Sequence, residues 1–244
     1  MKLVTIPFVD SSLMHIDSQS VVVVIDVLRA TSTMITALLH GAREIFPFED
    51  KDAALAYRKK FDHDRVLLCG ERSAGIIPGF DLGNSPFEYS TESVEHKTLI
   101  MSTTNGTRAI TKAKTAKQVI LASFINARAV ADFLRHEKEI VFLCSGTNGR
   151  FSMDDAFCAG YIASLLTRNN SAQVCDLTQT LLFCNSHSGH GYVDMIKNSV
   201  HGKLLIEKGF EKDVDYCLQK DVVSAIPVYD AVSQSIKLLS SATS

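Results

Sequence analysis

Four polar loops of the sequence each contain one arginine, and each loop follows a segment that predicts a β-strand. The arginines are Arg29, Arg72, Arg108 and Arg150. Arginine presents a planar fork of N–H donors that suits phosphate, sulfonate and carboxylate groups. The same loops supply hydroxyl donors, and glycines that let the backbone approach an anion closely. One such loop is equally well explained as a capped turn, but four of them at four strand ends predict a shared anion site.

Carboxylates lie among these cations. Asp26 ends a strand-like run, Glu71 belongs to the second loop, and Asp155 opens a helix after the fourth. An acidic residue in the first turn of a helix can simply complement the helix dipole, whereas Asp26 precedes its helix by five residues and needs another explanation. Mg²⁺ prefers carboxylate oxygens together with a substrate phosphate and water. Arginines and carboxylates in one set of loops therefore favour phosphate-ester chemistry with a divalent metal.

Strand-like and helix-like segments alternate along most of the chain. Val21–Ile25 is a run of five β-branched residues, typical of a central strand buried on both faces. Thr31–His40 predicts the helix that follows it. Further strands are predicted at 44–46, 66–69, 98–101, 118–122, 139–144 and 222–228.

This alternation predicts an α/β fold of three layers, α/β/α, with a largely parallel or mixed sheet. We expect a single domain over residues 1–244, with a more helical C-terminal part from about residue 170. In open α/β sheets ligands bind outside the carboxyl ends of the strands. The fold class therefore predicts that the four loops lie at one edge of the sheet.

Composition and charge exclude several classes of partner. Hydrophobic residues make up 46% of the 244 residues, which is enough for a folded core. A formal net charge of −2 lacks the basic excess of a nucleic-acid-binding surface. No apolar run approaches the roughly 20 residues that span a bilayer, and no signal-peptide segment opens the chain. Six cysteines without a C-x-x-C pair are typical of reduced core residues. We expect a cytoplasmic protein, able to form a homodimer, whose ligand is a small phosphorylated anion.

The same loops resemble the motif blocks of the 2-phosphosulfolactate phosphatase family. The blocks are VVVVIDVLRATST (21–33), CGERSAGIIPGFDLGNSPFEY (69–89), STTNGTRAI (102–110) and CSGTNGRFSMDDAFCAG (144–160). The resemblance extends over about residues 1–240 and implies the three-layer α/β fold of that family. It also implies a Mg²⁺-dependent phosphoric monoester hydrolase that converts 2-phospho-3-sulfolactate to 3-sulfolactate and phosphate, a step of coenzyme M biosynthesis. Such a substrate carries three anionic groups, which four converging arginines suit.

The working hypothesis assigns metal and substrate to these loops. Asp26 holds Mg²⁺, with Glu71 and Asp155 as the next candidates, and the nucleophile is a metal-activated water or a carboxylate such as Asp26.

Arg29 and Arg108, with the Asn105–Gly106 backbone, neutralise the phosphoryl group in the transition state. Arg72 and Arg150 hold the sulfonate and the carboxylate. The other substrate-binding residues expected in these loops are Ser32, Thr104, Gly106, Thr107, Gly146 and Thr147.

Two alternatives compete with this hypothesis, and the sequence argues against a third. Cys144 and Arg150 have the spacing of cysteine-dependent phosphatases, in which a thiolate attacks phosphorus and the arginine holds its oxygens. A non-catalytic protein that binds a sulfonated or phosphorylated metabolite would use the same arginines without needing Asp26. Haloacid-dehalogenase-type phosphatases also place an aspartate at a strand end, but they need a second aspartate two positions on, where this chain has Leu28.

Overall fold

The computed structural model describes residues 1–10, 16–168, 171–189 and 191–239. Within them, one sheet contains the strands β1 (Lys2–Ile6), β2 (Val21–Ile25), β3 (Glu44–Phe48), β4 (Val66–Arg72), β5 (Gly75–Ile76), β6 (Thr98–Ser102), β7 (Gln118–Ala122), β8 (Glu139–Cys144), β9 (Gln173–Val174), β10 (Pro227–Asp230) and β11 (Ser235–Leu238). The helices are α1 (Ala30–Leu39), α2 (Lys51–Arg58), α3 (Thr91–Val94), α4 (Gly106–Ala113), α5 (Ala127–Phe133), α6 (Met153–Thr167), α7 (Asp176–Ser188), α8 (Tyr192–Lys197), α9 (Val200–Glu207) and α10 (Glu211–Cys217). The predicted α/β fold with a mixed sheet between helical layers is confirmed.

The sheet consists of two parallel blocks joined by an antiparallel hairpin. Its strand order is β5-β4-β6-β3-β11-β10-β7-β2-β8-β1-β9. Strands β7, β2, β8, β1 and β9 are parallel, as are β4, β6 and β3, and the hairpin β10–β11 pairs antiparallel with β7 on one side and β3 on the other. The hairpin reverses the strand direction between the blocks. Five strand-to-strand steps separate β2 from β6, and at about 20–25° per step the twist accumulates to roughly 100–125°. This twist turns the carboxyl ends of the two blocks toward a common region.

Alternate residues of β2 belong to two different apolar clusters, which explains why the strand is a continuous β-branched run. Val21, Val23 and Ile25 pack with the helices from α5 to α10. Val22 and Val24 pack with α1 and α4, in a cluster that also includes residues of β3 and β6. The second cluster therefore joins the two blocks around α1 and α4. A third cluster, with α2, covers the other face of β3, β4 and β6.

The predicted elements correspond closely to the observed ones before residue 170 and less closely after it. The strand at 21–25 has the predicted bounds, and the helix predicted at Thr31–His40 occupies Ala30–Leu39. The helices of the C-terminal part extend from Asp176 to Cys217. The structure has the hairpin β10–β11 in place of the single strand predicted at 222–228. Its first strand begins at Pro227 and ends at Asp230, and the hairpin lies between the two blocks. None of the helices in the described part of the chain is long and apolar enough to cross a membrane.

Candidate active site

The loops after β2, β4, β6 and β8 meet at one cleft. Arg29, after β2, donates a hydrogen bond from Nη2 to the carbonyl oxygen of Ala74, after β4, at 2.9 Å. The backbone N–H of Asn148, after β8, donates to Oδ1 of Asn105, after β6, at 3.3 Å. The cleft has a volume of ≈ 360 Å³, which lies in the range of small-molecule sites, roughly 300–1,000 Å³. The predicted meeting of the four loops is therefore observed.

Asp26 lies at the start of the cleft wall and caps a helix. Its Oδ1 accepts a hydrogen bond from the backbone N–H of Ala30, the first residue of α1, at 3.1 Å. Its carbonyl oxygen accepts from the N–H of Thr31 at 2.9 Å. The sequence argument that Asp26 is too far from the helix to cap it was wrong, because the chain turns directly from β2 into α1. Its other carboxylate oxygen, Oδ2, faces α4, where a Cβ added to Gly106 would lie 2.8 Å from it.

The pKa of Asp26 is raised to about 7, chiefly because the carboxyl is buried. The hydrogen bond from Ala30 lowers this pKa, nearby Asp154 and Glu71 raise it, and Arg29 lowers it. The positive charge around Asp26 therefore does not compensate its burial. A cation bound beside it would favour the charged carboxylate.

Glu71 joins two of the loops on the opposite block. Its Oε2 accepts from the N–H of Ala74 at 2.9 Å and its Oε1 from the N–H of Thr104 at 2.8 Å. Two buried oxygens of cleft residues, Asn84 Oδ1 and Thr104 Oγ1, have no hydrogen-bond partner among the described residues. Buried polar atoms are nearly always paired in proteins. Since Asn84 and Thr104 both line the cleft, we interpret these two oxygens as contacts for a bound group.

The donor set suits a magnesium ion. The described residues contain no cluster of three or more His, Cys, Asp and Glu side chains poised to hold a metal. Mg²⁺ does not need one, because it keeps several waters and is commonly bound by one or two carboxylates and the phosphates of a substrate. Asp26, Glu71 and the amide oxygen of Asn84 line one cleft and provide such hard oxygen ligands.

Arg29 lies in the cleft wall and is held in place from behind. Its Nη1 donates to Oδ2 of Asp213 on α10 at 2.5 Å, and both side chains are almost completely buried. Asp213 also accepts a hydrogen bond from Ser85 Oγ at 2.8 Å. The guanidinium stacks on the ring of Phe210 at 4.0 Å. Arg29 is thus a fixed, paired cation with part of its fork directed along the cleft wall.

The other three arginines have different positions. Arg72 lines the cleft, although its donors bond to the carbonyl oxygens of Glu71 and Glu49 and to Ser102 Oγ. Arg108 forms a bidentate ion pair with Asp10, at 2.8 and 2.6 Å, and is not among the residues that line the cleft.

Arg150 is exposed and lines a neighbouring groove. The expectation that four arginines converge therefore holds for Arg29 and Arg72 and does not hold for Arg108 and Arg150.

Asp155 lies behind the cleft wall and does not line it. Its Oδ1 accepts from the N–H of Val27 and its Oδ2 from the N–H of Gly146, both at 2.9 Å. Its neighbour Asp154 accepts from the N–H of Leu28 at 3.1 Å. The position expected for a third metal ligand is therefore occupied by a carboxylate that ties two loops together.

The predicted hydroxyl and glycine positions divide into cleft and scaffold. Thr104, Asn105 and Thr147 line the cleft. Ser32 Oγ is buried and donates to the carbonyl oxygen of Val27, and Thr107 Oγ1 donates to that of Thr103. The two glycines are positions where a side chain would clash: an added Cβ would lie 2.5 Å from Ala30 Cβ at Gly106, and 2.4 Å from the carbonyl oxygen of Arg150 at Gly146.

The comparisons with known proteins agree on one family. A family model for 2-phosphosulpholactate phosphatase matches residues 8–231. A protein of Clostridium perfringens named "Probable 2-phosphosulfolactate phosphatase" is 45% identical over 219 residues, which cover 87% of this chain and 88% of that protein. A protein of Thermotoga petrophila with the same name is 42% identical over 205 residues, 84% of this chain and 87% of its own length. The chain belongs to the 2-phosphosulpholactate phosphatase family.

The span that matches this family includes a cleft wall that sequence reasoning missed. His201 and Lys208, on and directly after α9, line the cleft opposite the motif loops. Lys208 Nζ donates to the carbonyl oxygen of Ser73 at 2.5 Å. Neither residue lies in a Gly-rich or hydroxyl-rich block, so no local motif indicated them. Asn84 lies within the recognised block 69–89, and its place after Gly83 in a polar loop was the available signal.

In this phosphatase family member, Cys144 does not reach the cleft. Its side chain is completely buried in an apolar cluster. Burial, reinforced by nearby Asp155, Cys158 and Asp154, raises the pKa of its thiol well above the ordinary range. A buried neutral thiol cannot attack a phosphoryl group bound in the cleft.

Proposed function

We propose that the protein is a Mg²⁺-dependent phosphatase that hydrolyses 2-phospho-3-sulfolactate to 3-sulfolactate and phosphate, in coenzyme M biosynthesis. The observation that carries the proposal is the buried carboxylate pair, Asp26 and Glu71, in the wall of a cleft that also contains Arg29, Arg72 and Lys208. Carboxylates and cations in one cleft suit a metal together with an anionic ester. The names of the relatives support the same substrate.

Asp26, Glu71 and Asn84 Oδ1 would hold the metal. When bound, Mg²⁺ supplies charge neutralisation at the phosphoryl oxygens and lowers the pKa of a coordinated water. Asp26 contributes one carboxylate oxygen to this site while its other oxygen caps α1. Glu71 fixes the loops of β4 and β6 at the same time, through Ala74 and Thr104.

The remaining cleft residues bind and orient the substrate. Arg29 supplies a positive charge that Asp213 and Phe210 hold in place, so no conformational freedom is lost when the phosphoryl group binds. Arg72 and Lys208 flank the same loop from two sides and suit the sulfonate and carboxylate. In this proposal Arg108 and Arg150 stay at the periphery.

The nucleophile is water or the Asp26 carboxylate, since the burial and raised thiol pKa of Cys144 remove the cysteine alternative. An acid quench during turnover of ³²P-labelled substrate separates the two. Label that is attached to the wild-type protein and absent from Asp26→Asn indicates attack by the carboxylate. Unlabelled wild-type protein indicates attack by water.

The proposal is tested by phosphate release from 2-phospho-3-sulfolactate, with Mg²⁺ and with a chelator. 2-Phosphoglycerate, which lacks the sulfonate, is the matched comparison substrate. We expect release that requires Mg²⁺ and favours the sulfonate. Release that ignores the chelator, or none from either ester, would contradict the proposal. A non-catalytic binding protein would still bind its anion after Asp26→Asn and would show no turnover in the wild type.

We further propose that the enzyme works in the cytoplasm and forms a homodimer. All six cysteines are free thiols, as a reducing compartment requires. Phe151, Met153 and Val200 line a groove beside the cleft and offer apolar area for a second copy. Light scattering after size-exclusion chromatography should give twice the monomer mass, and a monomer would contradict the dimer.

A further inference from the structure

A chain of hydrogen bonds leads from His201, in the cleft, to a buried carboxylate. His201 Nδ1 lies 3.0 Å from Thr147 Oγ1, which lies 3.1 Å from Ser152 Oγ. Ser152 Oγ donates to Asp154 Oδ1 at 2.5 Å. Asp154 is 1% exposed, and the mechanism proposed above does not use it.

The carboxylate at the end of the chain sets the direction of every bond in it. The Ser152 hydroxyl donates its one hydrogen to Asp154 Oδ1. Ser152 Oγ must then accept from the hydroxyl of Thr147, and Thr147 Oγ1 must accept from Nδ1 of His201. The histidine therefore carries a hydrogen on Nδ1, and Nε2 is the ring nitrogen available to a ligand in the cleft.

We propose that His201 is the general acid of the phosphatase reaction and that it protonates the ester oxygen of the leaving group through Nε2. This inference rests on the proposed function. Thr147, Ser152 and Asp154 are positioning residues that hold the ring in its orientation.

The step balances without a further reactant. As the nucleophile forms its bond to phosphorus, the bond between phosphorus and the ester oxygen breaks and its electron pair stays on that oxygen. The oxygen takes the proton from Nε2, and the imidazolium becomes neutral imidazole. An alkoxide of a secondary alcohol is a poor leaving group, so proton donation at this atom lowers the barrier most. The neutral ring then takes a proton from solvent before the next turnover.

His201 has a setting that a merely structural histidine would not need. The ring lies between the cleft and the neighbouring groove, and it lines both. The metal-binding carboxylates and Arg29 come from the motif loops, whereas His201 comes from α9 on the other wall. The charged groups that line the two spaces next to it are Asp26, Arg29, Glu71, Arg72, Arg150 and Lys208.

The test compares His201→Gln with the wild type by kcat and KM for Mg²⁺-dependent phosphate release across pH. We expect kcat to fall by about 10²–10⁴-fold, with KM changed much less. The decline of wild-type kcat at high pH, where the histidine loses its proton, should be absent in the variant. His187→Gln is the matched control, because that histidine is exposed on α7 outside the cleft, and it should behave as wild type.

Thr147→Val removes the relay and keeps the shape of the side chain. It should lower kcat with KM changed much less, because the chain from Asp154 then no longer holds the ring of His201. If His201→Gln keeps kcat within about tenfold of an active wild type, or keeps the high-pH decline, the inference is wrong. Loss of the low-pH decline instead would make His201 a base and would also overturn it. A wild type without Mg²⁺-dependent release would refute the proposed function itself.

Discussion

Replacing Asp26 by asparagine should abolish phosphate release and yet stabilise the protein at neutral and alkaline pH. Asparagine has nearly the same shape, and its Oδ1 can keep the hydrogen bond from the N–H of Ala30 that caps α1. The substitution removes the charge of a buried carboxyl whose pKa is raised to about 7. The variant therefore distinguishes the role of Asp26 in phosphate release from the destabilisation caused by burying its charge.

The size of the effect follows from the pKa of Asp26. A carboxyl with a higher pKa in the folded than in the unfolded state stabilises the fold while it is protonated, and that contribution is lost as pH rises. Here the contribution is lost between about pH 4 and about pH 7, that is, between the ordinary carboxyl pKa of 3.8 and the raised pKa of Asp26. At 1.36 kcal/mol per pKa unit the whole window amounts to about 4 kcal/mol, of which about 2.5 kcal/mol falls between pH 5 and pH 8.

The assay is urea unfolding of the wild type and Asp26→Asn at pH 5 and pH 8, in EDTA and in Mg²⁺. In EDTA, the stability of the variant relative to wild type should increase by about 2.5 kcal/mol from pH 5 to pH 8. Mg²⁺ should stabilise the wild type at pH 8 and leave the variant unchanged, because a ligand that binds only the native state stabilises it. Asp132→Asn, in an exposed ion pair with Arg135, is the control. A difference between variant and wild type that does not change with pH would refute the burial argument, and equal stabilisation of both by Mg²⁺ would refute the metal position.

Three further substitutions test the surroundings of the cleft. Asp213→Ala should cost about 3–5 kcal/mol in urea unfolding, because it leaves Arg29 buried without its partner; a cost below about 1 kcal/mol would mean that the pair is solvated. Gly106→Ala should lower kcat, because its Cβ would lie 2.5 Å from Ala30 Cβ and close to Asp26. Adding Ala30→Gly should restore part of the lost kcat. Unchanged kcat in the single variant would count against this packing. Cys144→Ala should leave kcat unchanged, and iodoacetamide should not inactivate the wild type through this thiol; loss of turnover in the variant would revive the thiolate mechanism.

The fold was predictable wherever periodicity and burial coincide. Val21–Ile25 pairs with a parallel strand on both sides and packs against helices on both faces, and a strand of that kind is a continuous apolar run. The hairpin β10–β11 was not predictable in the same way. Its strands are only four residues each, and five of their eight residues are exposed or half-buried. Its position between the two parallel blocks depends on pairing partners more than a hundred residues away in the chain.

The candidate site was predictable on one wall and not on the other. The motif loops are recognisable in the sequence by their glycines, hydroxyls and arginines, because backbone close to an anion requires such residues. The opposite wall consists of helix α9, where His201 and Lys208 stand among ordinary helix-forming residues. Side chains on a regular helix need no special backbone, so their sequence carries no signal for the cleft. Only the packing of α9 against the rest of the fold brings them there.

Asp26 follows a strand and Asp155 lies in the first turn of a helix, and the two carboxylates have different roles in the structure. Loops that leave parallel strands carry N–H groups without a strand partner, and buried N–H groups need acceptors. Asp155 gives both oxygens to such groups, on Val27 and Gly146, and so fixes the backbone that surrounds Asp26. Asp26 gives one oxygen to Ala30 and keeps the other toward Gly106 and the cleft. Asp26 therefore keeps one oxygen free of the backbone and lines the cleft, whereas Asp155 does neither, and this difference depends on three-dimensional contacts.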